Sequence, residues 1–157
     1  MSSTATISTT TGGHTGPVEP PRLYPTFRYR DANRMIDWLV EAFGFEVHAL
    51  YRDNDGKVAH SQLSFGSAMI MVGQAREDEY GRMVGGPGEN GGKSIYVAVP
   101  DTDQACERAR AAGAEILEEP TDRDYGSREF ICRDPEGNVW ALGTYWPKAH
   151  EAALAAE

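Results

Sequence analysis

An internal duplication limits the possible folds of this chain more than any other feature of its sequence. Residues 26–30 (TFRYR) alternate polar and apolar side chains as a strand does, and Asp31 can then cap a helix that ends at Gly44. Three further strand patterns follow, at 45–52, 57–65 and 68–72. The first two of these flank the turn sequence DNDG. The order of elements in this first half is therefore βαβββ.

The second half of the chain repeats this order. A strand pattern at 94–99 is followed by Asp101, which can cap a second helix, and by Gly113, which can end it. The two helix-ending glycines, Gly44 and Gly113, are 69 positions apart. Further strand patterns at 114–116, 127–132 and 139–145 complete the unit. The turn sequence DPEGN joins the last two of them. The repetition predicts an α+β fold of two paired βαβββ modules.

Each predicted module has one helix for four strands, so the helix can cover only one face of its sheet. The other faces are expected to curve toward each other or toward a partner chain and to enclose a cupped cavity. The first twenty residues include nine Ser or Thr and are predicted to be disordered. The predicted organisation is a leader at 1–21, one domain at 22–147 with modules at 22–80 and 92–147 and a linker at 81–91, and a tail at 148–157.

Composition and charge exclude several classes of function. The formal charge of −9 and the pI of about 4.9 would repel phosphate backbones, so nucleic acid is not an expected partner. No stretch approaches the roughly 20 apolar residues of a membrane helix, and no secretory signal is recognisable, so we predict a cytoplasmic protein without membrane contacts. Cys106 and Cys132 lack the spacing of a zinc site and are predicted to be buried, reduced thiols.

The segment 76–93 between the modules is long, charged and rich in glycine. It could be a lid over the predicted cavity or a solvated linker. Its end, GPGENGGKS, is close to a phosphate-binding loop, but Pro87 stands where that loop requires glycine, and the segment leads into a strand where a helix is needed. Nucleotide binding is therefore not predicted.

Three segments of the chain resemble the vicinal oxygen chelate superfamily, which includes glyoxalase I, extradiol dioxygenases and bleomycin-resistance proteins. They are YPTFRYRDANRMIDWLVEAFGFEV, KVAHSQLSFGSAMIMVG and SREFICRDPEGNVWALGTY. The resemblance covers residues 22–147 and implies the glyoxalase/bleomycin resistance/dioxygenase fold. Related proteins bind ligand at a dimer interface, and open sheet edges favour pairing, so a homodimer is expected.

In the metal-dependent members, the resemblance implies that His and Glu side chains from four strand positions converge on one divalent ion. In this sequence those positions hold Tyr24, Met71, Ser94 and Ala141. Neither these side chains nor their immediate neighbours in sequence supply the imidazole or carboxylate donors that such an ion needs. The prediction is a protein with no metal and no cofactor, and the resemblance is then to the metal-free, drug-binding branch.

Aromatic and apolar side chains on the strands would suit a planar aromatic or hydrophobic ligand through stacking and dispersion. The candidate ligand-binding residues are Tyr24, Phe27, Tyr29, His60, Met71, Tyr96, Trp140 and Tyr145. For each of them the alternative is an ordinary place in the core or in a cross-strand pair. Arg28 and Arg30 alternate with two of these aromatics and are expected at the surface or at a subunit interface. If the aromatics instead pack on the helix, an arginine would point into the cavity and favour an anionic ligand.

Two classes of function remain open. The first is metal-independent binding of a small molecule, as in bleomycin-resistance and antibiotic-sequestering proteins, with no reaction; the sequence favours this one. The alternative is an enzyme, either a glyoxalase-like lyase or isomerase with His60 as the catalytic acid or base, or an atypical metal-dependent glyoxalase or dioxygenase. His60 could equally be a structural histidine, and His48 on the preceding strand could pair with it across the hairpin at 53–56.

Overall fold

A computed structural model of the chain describes residues 6–7, 16–17, 21, 24–88 and 93–147. Most of the predicted leader and the whole predicted tail lie outside the described residues. Inside the leader, β1 (Thr6–Ile7) pairs antiparallel with β2 (Gly16–Pro17), a pairing that the prediction of a disordered leader did not include.

The domain consists of two four-stranded mixed sheets and two long helices, and it confirms the predicted α+β duplication. The first module contains β3 (Thr26–Tyr29), α1 (Ala32–Phe43), β4 (Glu46–Arg52), β5 (Val58–Phe65) and β6 (Ala68–Gln74). A six-residue helix that was not predicted follows, α2 (Glu79–Val84). The second module contains β7 (Ile95–Ala98), α3 (Thr102–Ala111), β8 (Glu115–Asp122), β9 (Arg128–Arg133) and β10 (Val139–Gly143).

The strand orders of the two sheets are equivalent, β3-β6-β5-β4 and β7-β10-β9-β8. In each sheet the first strand runs parallel to the last strand of its module, and the remaining pairs are antiparallel. Met71 of β6 lies beside Thr26 of β3, and Ala141 of β10 lies beside Tyr96 of β7. The positions of Met71 and Ala141 are therefore equivalent in the two modules.

The helix ends confirm the capping residues expected from the sequence. The side chain of Asp31 accepts a hydrogen bond from the backbone N–H of Arg34 at 3.1 Å, and Asp101 begins α3 in the same way. Gly44 ends α1 with a φ of +89°, and Gly113 follows α3 with a φ of +96°. Both helices therefore begin at an aspartate and are followed by a left-handed glycine.

One hydrophobic core lies between the helix-facing sides of both sheets. The ring of Trp140 on β10 is fully buried, 5.4 Å from Phe27 and 4.9 Å from Phe43 of the first module. Helices α1 and α3 also meet, and the indole N–H of Trp38 donates to the carbonyl of Ala112 at 2.8 Å. Because the covered faces share this core, the uncovered faces point away from it.

The DPEGN turn between β9 and β10 fastens the second module to the first. The buried carboxylate of Asp134 accepts hydrogen bonds from the hydroxyl of Tyr29 at 2.8 Å and from the indole of the core tryptophan at 3.0 Å. Glu136 accepts from the backbone N–H groups of Arg30 and Asp31 at 2.7 and 2.9 Å. The turn therefore holds the junction of β3 and α1 in place, a role that its turn sequence alone did not indicate.

Cys106 and Cys132 are buried free thiols, as predicted. Burial raises the pKa of Cys132 to about 12, so this thiol is uncharged and unreactive near neutral pH. Among the helices of the described residues, none combines the length and the apolar character needed to cross a bilayer.

Candidate functional site

The uncovered face of the first sheet carries two of the predicted site residues. Strand pairing places His60 beside Tyr51, and Gln62 beside Met71. Met69 lies on the same side, with its sulfur 3.7 Å from the side-chain nitrogen of Gln62. These five residues, Tyr51, His60, Gln62, Met69 and Met71, are called the first open face below. It offers an imidazole, an amide and two polarisable thioethers to a ligand.

A glutamine connects two histidines on this face. The Nε2 atom of His60 lies 3.0 Å from Oε1 of Gln62, and Nε2 of Gln62 lies 3.1 Å from Nδ1 of His48. In this orientation of the amide His60 donates through Nε2, and His48 accepts through Nδ1. The ring of Tyr51 stacks on that of His60 with centroids 6.2 Å apart. The two histidines are therefore linked across the sheet through Gln62.

The uncovered face of the second sheet is more aromatic. Tyr96 lies beside Ala141, which lies beside Ile131 of β9. The Tyr96 hydroxyl donates to the carbonyl of Tyr145 at 2.7 Å, and the ring of Tyr145 meets that of Tyr125 edge-on at 5.9 Å. We call these five residues the second open face. Its tyrosines present ring surface for stacking, and partial burial raises the pKa of Tyr96, so its hydroxyl stays protonated.

Two carboxylates beside the second open face are already paired. Arg123 lies 2.5 Å from a carboxylate oxygen of Glu118 and 3.2 Å from one of Glu129. The hydrogen bond from Arg123 lowers the pKa of Glu118. The hydroxyl of Tyr125 donates to Glu129 at 2.8 Å, which raises the pKa of that tyrosine. These carboxylates are therefore engaged by an internal cation and a phenol.

Three of the predicted ligand-binding residues lie in the core. Phe27 and Tyr29 alternate with the arginines of β3 and point toward the helices, with their rings 5.7 Å apart. Tyr29 and Trp140 are completely buried, and both donate hydrogen bonds to Asp134. The prediction that Tyr29 and Trp140 contact a ligand is therefore corrected, because the core encloses both side chains. Burial raises the pKa of Tyr29 well above its usual value, with Asp134 adding to the effect.

The remaining predicted residues lie at the edges of cavities or of the open faces. Phe27 also borders a cavity of about 650 Å³ that Met83, Val84 and Ser94 line. Tyr96 borders a second cavity, of about 260 Å³, together with apolar residues of the β5–β6 hairpin. Tyr24 is half-buried and directly precedes β3. The structure therefore brings together His60 with Met71, and Tyr96 with Tyr145, but it does not join all eight residues in one pocket.

The residues at the metal position do not fit the divalent ion of the metal-dependent relatives. Met71 has Thr26 and Gln62 as its neighbours across the strands, and Ala141 has Tyr96 and Ile131. Their thioether, hydroxyl, amide and phenol groups are poor donors for such an ion. No cluster of three or more His, Cys, Asp or Glu able to hold a metal occurs among the residues that the structure describes.

Sequence reasoning missed several residues of the open faces, among them Gln62 and Tyr125. Gln62 is two residues from His60 on one strand, so the strand period places both on one face, and that spacing could have identified it. Tyr125 lies in the connection between β8 and β9, and no sequence pattern places its ring against that of Tyr145.

Comparison with known proteins places this architecture in a family. The family model described as "Glyoxalase/Bleomycin resistance protein/Dioxygenase superfamily" matches residues 22–142, so the chain belongs to this superfamily. An uncharacterized protein of Mycobacterium bovis is 32% identical over 129 residues, which cover 78% of this chain and 82% of that protein. An uncharacterized protein of Mycobacterium tuberculosis H37Rv has the same identity over 129 residues, covering 78% and 74%.

Solved structures agree with this assignment. TioX from Micromonospora sp. ML1 is 31% identical, with a TM-score of 0.61 over 77% of this chain and 97% of that one. A glyoxalase/bleomycin resistance protein from Streptomyces sp. CB03234 is 20% identical, with a TM-score of 0.58 over 74% and 94%. The fosfomycin resistance protein FosX from Mesorhizobium loti is 16% identical, with a TM-score of 0.58 over 82% and 94%. The last two comparisons show the fold alone.

Proposed function

We propose that this protein binds a small planar or hydrophobic organic molecule without a metal ion and sequesters it without a reaction. The observation that carries the proposal is the chemistry at the two equivalent positions, Met71 and Ala141. Metal-dependent relatives are expected to have ligands there, and this chain has a thioether and a methyl group. A ligand at this place would be held by dispersion and stacking.

The composition of the open faces supports an aromatic ligand. The first open face supplies thioethers and an imidazole–amide pair, and the second supplies three tyrosine rings. Thioethers and phenol rings bind planar apolar surfaces well, while the polar ends of the side chains fix the orientation of the ligand. Sequestration of an antibiotic is the form of this function that the resemblance to bleomycin-resistance proteins suggests.

A homodimer is part of the proposal. The two open faces of one chain point away from a common core, so a ligand on either face stays open to solvent in a monomer. A second copy could place its second open face opposite the first open face and enclose a ligand between Met71 and Tyr96 of different chains. Such a site would be incomplete in a single chain.

The test is a thermal-shift screen of aromatic antibiotics and common metabolites, followed by calorimetric titration of the hits in the presence of a chelator. A ligand of the folded state raises the unfolding temperature by mass action. We expect at least one planar aromatic hit whose affinity does not change with the chelator. Loss of binding on chelation, or turnover of the hit, would contradict the proposal.

A matched pair of variants locates the site. Tyr96→Ala removes a ring of the second open face that is 39% exposed, and Val40→Ala truncates a residue of α1 that is 36% exposed and lies away from both faces. We expect Tyr96→Ala to weaken binding of the hit by about tenfold, the effect of losing a stacked ring, and Val40→Ala to leave it unchanged. Equal affinities of the two variants would place the ligand elsewhere.

An enzyme is the second candidate, and the His60–Gln62–His48 network favours it. Because Nε2 of His60 donates to Gln62, Nδ1 is the ring nitrogen of a neutral imidazole that would accept a proton from a substrate. A catalytic role predicts that His60→Ala abolishes turnover and leaves ligand affinity largely intact. Sequestration predicts no turnover in either protein.

A further inference from the structure

A cavity of about 440 Å³ lies beneath the segment that connects the two modules. Its lining is unusual in a chain with a net charge of −9, because the described residues that line it include three arginines and one acidic side chain, Glu77. The rest of the lining is small or apolar, so the arginines dominate its chemistry. The arginines are Arg28, Arg76 and Arg82. None of the eight ligand-binding residues expected from the sequence lines this cavity, although Arg28 lies on the same uncovered side of the first sheet as Met71.

Arg28 is the arginine most enclosed by protein. It lies on β3, on the side opposite the core-facing Phe27 and Tyr29, and its side chain is 18% exposed. Its two terminal nitrogens donate to the two carboxylate oxygens of Asp78 at 2.9 and 3.1 Å. The ring of Tyr80 lies 5.1 Å from the guanidinium carbon. This planar, two-point arrangement is the one by which arginine binds carboxylate and phosphate groups.

The carboxylate that pairs with Arg28 lies at the start of α2, beside the residues that line the cavity. Asp78 directly precedes α2 and accepts a hydrogen bond from the backbone N–H of Gly81 at 2.8 Å. Its own side chain is about half exposed, so it can turn to solvent without breaking the core. The ion pair between Asp78 and Arg28 is therefore one in which a ligand carboxylate or phosphate could replace Asp78.

The other two arginines differ in how firmly they are held. Arg76 pairs with Asp53 at 2.7 Å. Arg82 is exposed and reaches the carbonyl oxygen of Glu77 at 3.5 Å, the limit of a hydrogen bond. If Asp78 turned away, two guanidinium groups, those of Arg28 and Arg82, would face one cavity with a single carboxylate opposing them.

We propose that this cavity binds the carboxylate or phosphate group of a small molecule, and that Asp78 holds the place of this oxyanion on Arg28 in the unliganded protein. Binding exchanges one two-point pair for another: the oxyanion bonds to Arg28, and the Asp78 carboxylate moves into water. This proposal goes beyond the proposed function, because the cavity and the open faces can bind or fail to bind independently.

The test uses inorganic phosphate and acetate as probes, titrated calorimetrically at constant ionic strength into the full chain. Asp78→Asn removes the charge opposite Arg28 and keeps an acceptor for the Gly81 N–H, so α2 should stay capped. We expect this variant to bind one of the probes about tenfold more tightly than the wild type does, the gain from freeing a charge-assisted hydrogen bond donor. Asp78→Ala should show the same gain if the asparagine variant folds poorly.

Two controls separate this site from general electrostatics. Glu119→Gln frees Arg110 from an equally short two-point pair, at 2.6 and 3.1 Å, that does not line this cavity. Arg28→Gln in the Asp78→Asn background removes the proposed anchor. We expect no gain from Glu119→Gln and loss of the gain with Arg28→Gln. Equal affinity of wild type and both Asp78 variants, or the same gain in Glu119→Gln, would overturn the proposal, whatever aromatic ligands bind to the open faces.

Discussion

Asp134 is the residue on which the packing of one module against the other most depends. Its buried carboxylate receives hydrogen bonds from Tyr29, from Trp140 and from backbone N–H groups of its own turn. These donors satisfy the oxygens of a buried carboxylate, whose removal from water would otherwise be costly. Two of the donors are core aromatics, so the position of the turn and the packing of the core are coupled.

We predict that Asp134→Asn lowers the free energy of unfolding by about 2 kcal/mol, because hydrogen bonds to a charged acceptor become neutral ones and one donor loses its partner. Asp124→Asn, the same change at an exposed position of the same module, should change it by less than about 0.5 kcal/mol. Urea unfolding of both variants measures the difference. Equal effects would mean that the bonds of Asp134 contribute nothing to stability.

Tyr29 should give the protein a specific sensitivity to alkali. Its pKa is raised in the folded state by burial first and by Asp134 second, whereas in the unfolded chain it ionises near 10.0. The stability from the protonated phenol is therefore complete below pH 10 and is lost as the pH rises above that value. We predict that the free energy of unfolding falls less steeply between pH 10 and about 11.5 in Tyr29→Phe than in the wild type. Parallel curves would contradict the assigned pKa direction.

At the scale of elements, the helix ends test the equivalence of the two modules. Gly44 and Gly113 both have positive φ, so alanine at either position should cost about 1 kcal/mol. A Cβ atom at Gly44 would also lie 3.1 Å from Nη1 of Arg108, whereas nothing lies within 4 Å at Gly113. Because Arg108 donates to the carbonyl of Glu41 at 2.9 Å, Gly44→Ala should disturb a contact between the helices.

We therefore predict that Gly44→Ala lowers the urea midpoint more than Gly113→Ala does. The comparison removes the shared backbone cost and leaves the contact with Arg108. A larger effect at Gly113 would show that the helix contact does not stabilise the paired modules.

The elements best predicted from the sequence were those with a hydrophobic periodicity, a capping side chain at the start and a glycine at the end. Both long helices, their capping aspartates and the order of the strands follow from local patterns. The short helix α2 could not be predicted in this way, because its six residues are too few to show an amphipathic period. Its capping residue Asp78 also forms an ion pair with Arg28, fifty positions earlier, which no local pattern indicates. Strand β8 also extends to Asp122, well beyond the apolar residues that suggested it.

The candidate site was less predictable than the fold, for a physical reason. Strand alternation says that Tyr29 and Arg28 face opposite sides, but it does not say which side is covered by a helix. Trp140 has the side chain of a ligand-stacking residue, and only its contacts with rings of the other module, such as Phe27 and Phe43, place it in the core. Long-range packing of this kind has no signal in a single sequence.

For the whole molecule, we predict self-association, because the core shared by the two modules leaves both open faces uncovered in one chain. Large apolar side chains remain exposed on α2 and on the second open face, among them Met83, Val84 and Tyr96. Exposed apolar side chains of this size are candidates for contacts with a partner. We predict that sedimentation at micromolar concentration gives twice the 17.2 kDa mass of the chain. A monomer at this concentration, with full affinity for a ligand, would contradict the proposed closure of the site by a second copy.

The central claim is that the equivalent positions at Met71 and Ala141 bind an organic ligand and do not bind a metal ion. Elemental analysis of the purified protein, after equilibrium dialysis against zinc, nickel, iron and manganese in turn, tests it most directly. We expect far less than one ion per chain for every metal. One tightly held ion per chain, lost when His60 is replaced by alanine, would contradict it.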